Sequence, residues 1–237
     1  MKRKEYNKTK EELYNELWNG VYTLVDKPRF NTIDYISKMV YDNNVVGDVV
    51  ECGVWRGGMS VYLAYCFFDR TIWACDSYEG FQSVNEAKYK YVGDERHVPE
   101  YDENTKWQWV RGKSIKISLE EVKQVFTHFG LGDDENIKFL KGWVKDTLDP
   151  KTCKIEKISV LRVDVDAYSA TLEVLVNLFD KVSSGGYIIF DDSALLECQD
   201  AIKEFKRIRN IDFDLTYPIS GRIGNNLDEA GGYFKKL

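Results

Sequence analysis

The chain has few residues that interrupt regular structure and no long apolar run. Four prolines occur in 237 residues, and apolar stretches such as 61–68 fall far short of the roughly 20 residues that cross a bilayer. The first ten residues are charged and polar with no apolar segment behind them, so we expect no secretory signal, no membrane partner and a cytoplasmic location. A hydrophobic share of 43% beside 30% charged residues is typical of a globular protein and excludes disordered and collagen-like classes.

Basic clusters and paired cysteines are also missing. The 33 basic residues are scattered and are outnumbered by 39 acidic ones, giving a net charge of -6, so nucleic acid is not an expected partner. The five cysteines form no C-x-x-C pair and no zinc-finger spacing. We expect buried free thiols in place of disulfides or a zinc site.

Short β-branched runs alternate with helical patterns from Asp48 onward, which predicts an α/β fold with a mostly parallel sheet and helices on both faces. The predicted strands are 48–54, 71–77, 136–142, 158–164 and 186–192. Predicted helices cover 170–182 and 118–129, the second with a capping box of Ser118 and Glu121. Two further strand-like segments, 213–217 and 232–235, have no helix between them and predict an antiparallel hairpin at one edge. The expectation is a sheet of seven strands with an antiparallel strand at the C-terminus.

Two regions lie outside this alternation. Residues 1–47 show helical patterning and are interpreted as an N-terminal cover. Residues 78–112 form a polar, aromatic-rich connection, and a connection of that length in a compact domain is typically a lid or a disordered stretch; its aromatics favour a lid. We interpret 1–237 as a single domain with these two additions.

The end of the first predicted strand runs into glycines before a helix. Glu51 is followed by Gly53 and Gly57, and glycine allows a ligand to approach the backbone near the N–H groups of the next helix. Asp76 ends the next strand 23 residues after Gly53, about the interval at which nucleotide-binding folds place a carboxylate on ribose. The spacing E-x-G-x-x-x-G-G lacks the dinucleotide fingerprint, so it favours a nucleoside without phosphates, such as S-adenosylmethionine, over NAD.

Acids also end the fourth and fifth predicted strands. Asp164 ends one and Asp191 and Asp192 end the other, and adjacent strands lie about 4.8 Å apart. Carboxylates gathered there would repel one another unless a divalent cation such as Mg²⁺ bound them. The alternative is that they cap helices and face water. A cation on a hydroxyl would suit methyl transfer to oxygen, with Asp164 or Asp166 taking the proton.

Several segments together resemble the macrocin-type sugar O-methyltransferases. They are GDVVECGVWRGG at 47–58, DSYEG at 76–80, SLEEV at 118–122, FLKGWVKDTL at 139–148, LRVDVDAY at 161–168, LFDKVSSGG at 178–186 and IFDD at 189–192. The resemblance covers about residues 28–237. It implies a Rossmann-like class I methyltransferase that uses S-adenosylmethionine and a divalent cation to methylate a sugar hydroxyl, on a glycoside or a nucleotide-activated sugar, in natural-product biosynthesis. The Asn-, Lys- and Ile-rich composition is compatible with surface-polysaccharide biosynthesis instead.

The resemblance also implies roles for individual residues. For the donor, Glu51, Gly53, Gly57 and Ser60 would hold the methionine end, Asp76 and Ser77 the ribose, and Gly142 and Trp143 would lie near adenine. For the acceptor, Asp164, Asp191 and Asp192 would bind the cation, with Asp164 or Asp166 as base. A homo-oligomer is a further possibility.

This chain departs from the family pattern around the expected acceptor. Val165 and Ser169 replace a glycine and a frequent glutamate, and the segments 94–103 and 220–229 also differ. His97, one of two histidines, is interpreted as a solvated loop residue. Two alternative functions stay open: methylation of a catechol or other aromatic hydroxyl, and a catalytically silent protein that binds S-adenosylmethionine.

Overall fold

The computed structural model describes residues 8–81, 88–89, 109–110, 113–218 and 231–237. In these residues the helices are α1 Lys10–Asn19, α2 Lys27–Asp42, α3 Gly58–Cys66, α4 Leu119–His128, α5 Val144–Thr147, α6 Tyr168–Leu178 and α7 Leu196–Arg209. The strands are β1 Asp48–Cys52, β2 Ile72–Asp76, β3 Trp109–Val110, β4 Lys113–Ser114, β5 Ile137–Lys141, β6 Ile158–Val163, β7 Val182–Phe190 and β8 Gly232–Lys235.

The main sheet has the strand order β5-β2-β1-β6-β7-β8. Neighbouring strands run parallel except β8, which is antiparallel to β7. The chain builds outward from β1 to β2 and β5 on one side, then returns to place β6 on the other side of β1. The direction of winding therefore reverses between β1 and β6, which is where open α/β sheets form their ligand crevice.

Helices cover both faces of the sheet, as predicted. On one face, buried side chains of α1, α2, α3 and α4 share one hydrophobic cluster. On the other face, α5, α6 and α7 pack in a second cluster. The centre of β6 is buried on both faces, which is typical of a parallel strand between two helical layers.

The helix predicted at 118–129 is confirmed in position and in its start. Ser118 accepts a hydrogen bond from the amide of Glu121, and the Glu121 carboxylate accepts one from the amide of Ser118. The helix predicted at 170–182 instead ends at Leu178, and Phe179–Lys181 form a 3-10 turn. Strand β7 then begins at Val182, four residues before the prediction, and a register shift against β6 accommodates the extra residues.

The expected seventh strand does not form. Segment 213–217 contacts β8 through a single bridge between Thr216 and Tyr233, so the sheet described here has six strands. Phe213 instead stacks on Phe234 with ring centroids 3.8 Å apart. This ring contact fixes the segment beside the sheet edge without a ladder of backbone hydrogen bonds.

Some of the predicted features fall outside the described residues. Most of the expected lid at 78–112, including His97, and the segment 220–229 are among them. The five cysteines are free thiols, as predicted, and four of them are buried, whereas Cys153 is half-buried. Among the described helices, none combines the length and apolar character of a membrane span.

Candidate active site

A cavity of about 600 Å³ opens beyond the carboxyl ends of β1, β2, β6 and β7. The loop between α1 and α2 and the first turn of α6 complete its wall. The predicted site residues that line it are Glu51, Gly53, Asp76, Ser77, Trp143, Asp164, Asp166, Asp191 and Asp192. The remaining three, Gly57, Ser60 and Gly142, are not part of this lining. The structure thus gathers acids from four strand ends around one cavity.

Glu51 lies at the floor of the cavity and is buried. One carboxylate oxygen accepts from Arg162 Nη1 at 2.6 Å, and the other accepts from the Ser60 hydroxyl. Burial raises the pKa of Glu51 to about 7, although the positive charge of Arg162 opposes this. Ser60 does not line the cavity, but its hydroxyl bonds the Glu51 carboxylate and so orients it.

Gly53 follows β1 and lies directly against the backbone that follows β6. Its φ is +88°, and a Cβ placed there would lie 1.6 Å from the carbonyl oxygen of Asp164. No side chain fits this space, so the turn after β1 can lie directly against the end of β6 only with glycine at this position. Gly57, with φ +85°, is the N-cap residue that turns the chain into α3.

Asp76 joins the turns that follow β1 and β2. Its Oδ2 accepts from the amides of Val54 at 2.6 Å and Trp55 at 3.2 Å, and its Oδ1 accepts from the amide of Tyr78 at 2.7 Å. Trp55 and Tyr78 both have positive φ values. The carboxylate predicted to contact a ribose therefore holds two strained turns, and Asp76 also lines the cavity.

Ser77, Gly142 and Trp143 lie on the same side of the cavity. The Ser77 hydroxyl donates to the carbonyl of Gly80 at 2.8 Å. The amide of Gly142 donates to the carbonyl of Asp76 at 2.9 Å, which ties the end of β5 to the end of β2. Trp143 follows as the N-cap residue of α5 and contributes to the cavity wall.

Three acids converge at the ends of β6 and β7. Asp164, Asp166 and Asp192 each bring one carboxylate oxygen within 4.8 Å of the others. Burial raises the pKa of Asp164 to about 6 and that of Asp166 to about 7, and neighbouring aspartate charges add to both shifts. Burial, followed by the charges of Asp166 and Asp164, raises the pKa of Asp192 well above its usual value. This set of hard oxygen ligands fits a divalent cation such as Mg²⁺.

Asp191 differs from its neighbour Asp192. Its Oδ1 accepts from Arg162 Nη2, and its Oδ2 accepts from Arg29 Nη1 at 2.5 Å. The carboxylate expected among the cation ligands thus lies between two arginines in this structure. Asp166, expected as a base, stands in the converging group instead, with φ +55° and its amide bonded to Asp192 Oδ2 at 3.0 Å.

Neither Arg162 nor Arg29 was predicted as a site residue. Arg162 lies in β6 and is 1% exposed. Burial lowers the pKa of its guanidinium, but the charges of Asp191, Asp164 and Glu51 outweigh that effect and hold the pKa well above its usual value. A usable signal was present, because an arginine inside a strand otherwise buried on both faces requires acidic partners nearby. Arg29, in the first turn of α2, carried no comparable signal.

Comparison with known proteins agrees with this geometry. The family model described as macrocin-O-methyltransferase (TylF) matches residues 1–236. Demethyldecarbamoylnovobiocin O-methyltransferase of Streptomyces niveus is 37% identical over 206 residues, which are 83% of this chain and 73% of that protein. The 8-demethyl-8-(2,3-dimethoxy-alpha-L-rhamnosyl)-tetracenomycin-C 4'-O-methyltransferase of Streptomyces olivaceus is 34% identical over 195 residues, covering 80% of this chain and 69% of that one.

A solved structure shows the same relationship. The O-methyltransferase NovP superposes with a TM-score of 0.75 at 35% identity, over 91% of this chain and 82% of that chain. The residues that the family model matches, 1–236, contain both the glycine turn after β1 and the acids after β6 and β7. The chain therefore belongs to the macrocin O-methyltransferase (TylF) family and is an S-adenosylmethionine-dependent O-methyltransferase.

Proposed function

We propose that this enzyme methylates a hydroxyl of a sugar, carried on a glycoside or a nucleotide, in a reaction that depends on a divalent cation. The observation that carries the proposal is the convergence of Asp164, Asp166 and Asp192 on the cavity that also contains Glu51 and Asp76. The name of the Streptomyces olivaceus relative supports a sugar acceptor, because it specifies a rhamnosyl substrate.

The donor half of the site comprises the predicted residues around β1, β2 and β5. Glu51 and the Gly53 turn would hold the methionine end, with Gly57 and Ser60 shaping that turn from behind. Asp76 and Ser77 would bind the ribose, and Gly142 and Trp143 would border the adenine. S-adenosylmethionine supplies a methyl group on a positively charged sulfur, and these residues orient it toward the acids of β6 and β7.

The acceptor half comprises those acids. Asp164 and Asp192 would hold the cation, and the third place falls to Asp191 or to Asp166. When bound, a cation of this kind lowers the pKa of a hydroxyl oxygen. Asp166 lies on the cavity wall in a left-handed conformation, the kind of strained backbone that is stored at functional sites. We assign it as the group that accepts the hydroxyl proton on a carboxylate oxygen, with Asp164 as the alternative.

The two additions to the core would cover the acceptor within one domain. Tyr22, Val25 and Arg29 of the N-terminal cover line the cavity. Tyr78 and Phe81, at the start of the 78–112 connection, line it as well. These contacts support an acceptor enclosed by both additions.

An acceptor screen tests the proposed function. Purified enzyme with S-adenosylmethionine and Mg²⁺ is given nucleotide-activated sugars and glycosides in one series and catechols in the other, with Asp192→Asn as the matched inactive control. We expect methyl transfer in the sugar series alone, with the position read by NMR. Transfer only to catechols would favour an aromatic acceptor, and tight donor binding without any turnover would favour a silent binding protein.

A further inference from the structure

Arg162 contacts carboxylates from both halves of the cavity. Its Nη1 donates to Glu51 Oε1 at 2.6 Å and to Asp164 Oδ2 at 2.7 Å, and its Nη2 donates to Asp191 Oδ1. These three acids come from the ends of β1, β6 and β7, which are neighbours in the sheet. A single buried side chain therefore connects the donor-side acid to two acids of the acceptor side.

We propose that Arg162 is a positioning residue that sets the affinity of the enzyme for both the methyl donor and the divalent cation. The inference rests on the proposed function for the identity of those two ligands. The guanidinium fixes the donor-side Glu51 relative to the acceptor-side Asp164 and Asp191, so the two ligands bind at a constant separation. Each affinity then depends on a residue that touches neither ligand.

The chemistry of the side chain supports this role. A guanidinium is planar and presents its N–H groups in a rigid fork, which allows it to bond three carboxylates in fixed directions. A lysine ammonium in the same place keeps the charge but not the fork. Arg162→Lys is therefore a test of geometry more than of charge.

Arg29 offers a matched control. It also contacts Asp191, through Nη1 at 2.5 Å, but its other carboxylate partner is Asp26 at the start of α2. Its bonds thus reach the acceptor half alone. If contact with Asp191 were all that mattered, Arg29→Lys and Arg162→Lys would give the same result.

The experiment measures the two ligands separately. Mn²⁺ binding is followed by electron paramagnetic resonance, and S-adenosylhomocysteine binding by calorimetry, on the wild type and both variants, with thermal melting as a check of folding. We expect Arg162→Lys to weaken both ligands by at least about tenfold. We expect Arg29→Lys to weaken Mn²⁺ and to leave S-adenosylhomocysteine within about twofold of the wild type.

A second pair of variants keeps the test decisive should Arg162→Lys not fold. Glu51→Gln should weaken Mn²⁺, and Asp191→Asn should weaken S-adenosylhomocysteine, so each change acts on the ligand of the opposite half. A folded Arg162→Lys that binds either ligand as the wild type does overturns the inference, as does the absence of both cross effects. A wild type that binds neither ligand contradicts the proposed function itself, and the inference with it.

Discussion

The donor and acceptor halves of the cavity both place carboxylates at strand ends, but the groups that neutralise them differ. In the donor half, Asp76 accepts from three backbone amides, and Glu51 accepts from a hydroxyl and a guanidinium. In the acceptor half, Asp164 also accepts from Arg162, but Asp166 and Asp192 converge on it and on each other with no ion pair to a basic side chain among the described residues. In the donor half, the protein therefore supplies hydrogen-bond donors to both carboxylates. The acceptor half instead has an excess of negative charge.

This difference indicates what each half can bind. Carboxylates with fixed N–H partners are held in place and offer their remaining lone pairs to the hydroxyls or amine of an organic ligand. Carboxylates whose pKa is raised by burial and by each other gain most from a cation. The comparison predicts that removal of cations acts mainly on the acceptor half, and that mutation of Asp76, whose partners are backbone amides, acts on the donor half alone.

Removing divalent cations has the largest expected effect. Chelation with EDTA should lower methyl transfer by at least about a hundredfold, since several kcal/mol of charge stabilisation at the hydroxyl are lost. Addition of Mg²⁺ or Mn²⁺ should restore turnover. Binding of S-adenosylhomocysteine, measured by calorimetry, should change only a few-fold because the donor-side carboxylates keep their partners. Unchanged turnover in excess EDTA would contradict the cation requirement.

Asp76→Ala should have the next largest effect, confined to the donor half. Loss of charge-assisted hydrogen bonds to the ribose should weaken S-adenosylhomocysteine by about 1.5–3 kcal/mol, roughly ten- to a hundredfold. The melting temperature should also fall, because the amides of Val54, Trp55 and Tyr78 lose their acceptor. Mn²⁺ affinity should stay as in the wild type.

Asp48→Ala is the matched control for Asp76→Ala. Asp48 lies at the opposite end of β1 and accepts from Trp73 Nε1 at 2.8 Å. The Asp48→Ala substitution also removes a side-chain hydrogen bond between β1 and β2, but at a residue that does not line the cavity. An Asp76→Ala enzyme whose calorimetric Kd equals that of Asp48→Ala would remove Asp76 from the donor site.

The order of strands and helices was largely predictable, because β-branched runs and helical periodicity are local properties of the sequence. The seventh strand was wrong for a reason that such patterns cannot show. Side chains alternate between partly buried and exposed from 211 to 216, as in a strand. The packing of Phe213 on Phe234 and the single bridge at Thr216 depend on contacts with a distant segment.

The arrangement of the acids around the cavity also depends on contacts with distant segments, which local patterns cannot predict. Their positions at strand ends followed from the sequence, but Asp191 and Asp192 were placed in one cluster. Both residues lie in the turn that follows β7, and there Asp191 meets Arg29 and Arg162 while Asp192 meets Asp166. Arg29 and Asp191 are 162 positions apart, and no local pattern connects them.

Substitution of Glu173 has the smallest expected effect. It distinguishes the effect of burial on a carboxyl pKa from the effect of repulsion between neighbouring acids. Glu173 is a buried residue of α6, and no other acid lies among the larger causes of its pKa shift. Burial raises its pKa to about 7, while the backbone and charge of Lys88 and the charge of Lys145 oppose the shift and Asp146 adds the least. The acceptor-half acids, by contrast, owe part of their shifts to one another.

Because the pKa of Glu173 is higher in the folded protein than its usual 4.5, the fold favours the protonated form. Ionisation of Glu173 therefore destabilises the folded protein. This destabilisation is absent below the unfolded pKa and grows as the pH rises toward 7, where the carboxyl ionises in the folded state. Glu173→Gln removes the charge at nearly constant volume. In urea unfolding with EDTA present, the variant should match the wild type within a few tenths of a kcal/mol at pH 4.5 and exceed it by about 2 kcal/mol at pH 8. Equal pH dependence in both proteins would show that burial alone does not shift a carboxyl here, and the raised pKa values of the acceptor half would then have to come from repulsion between its acids.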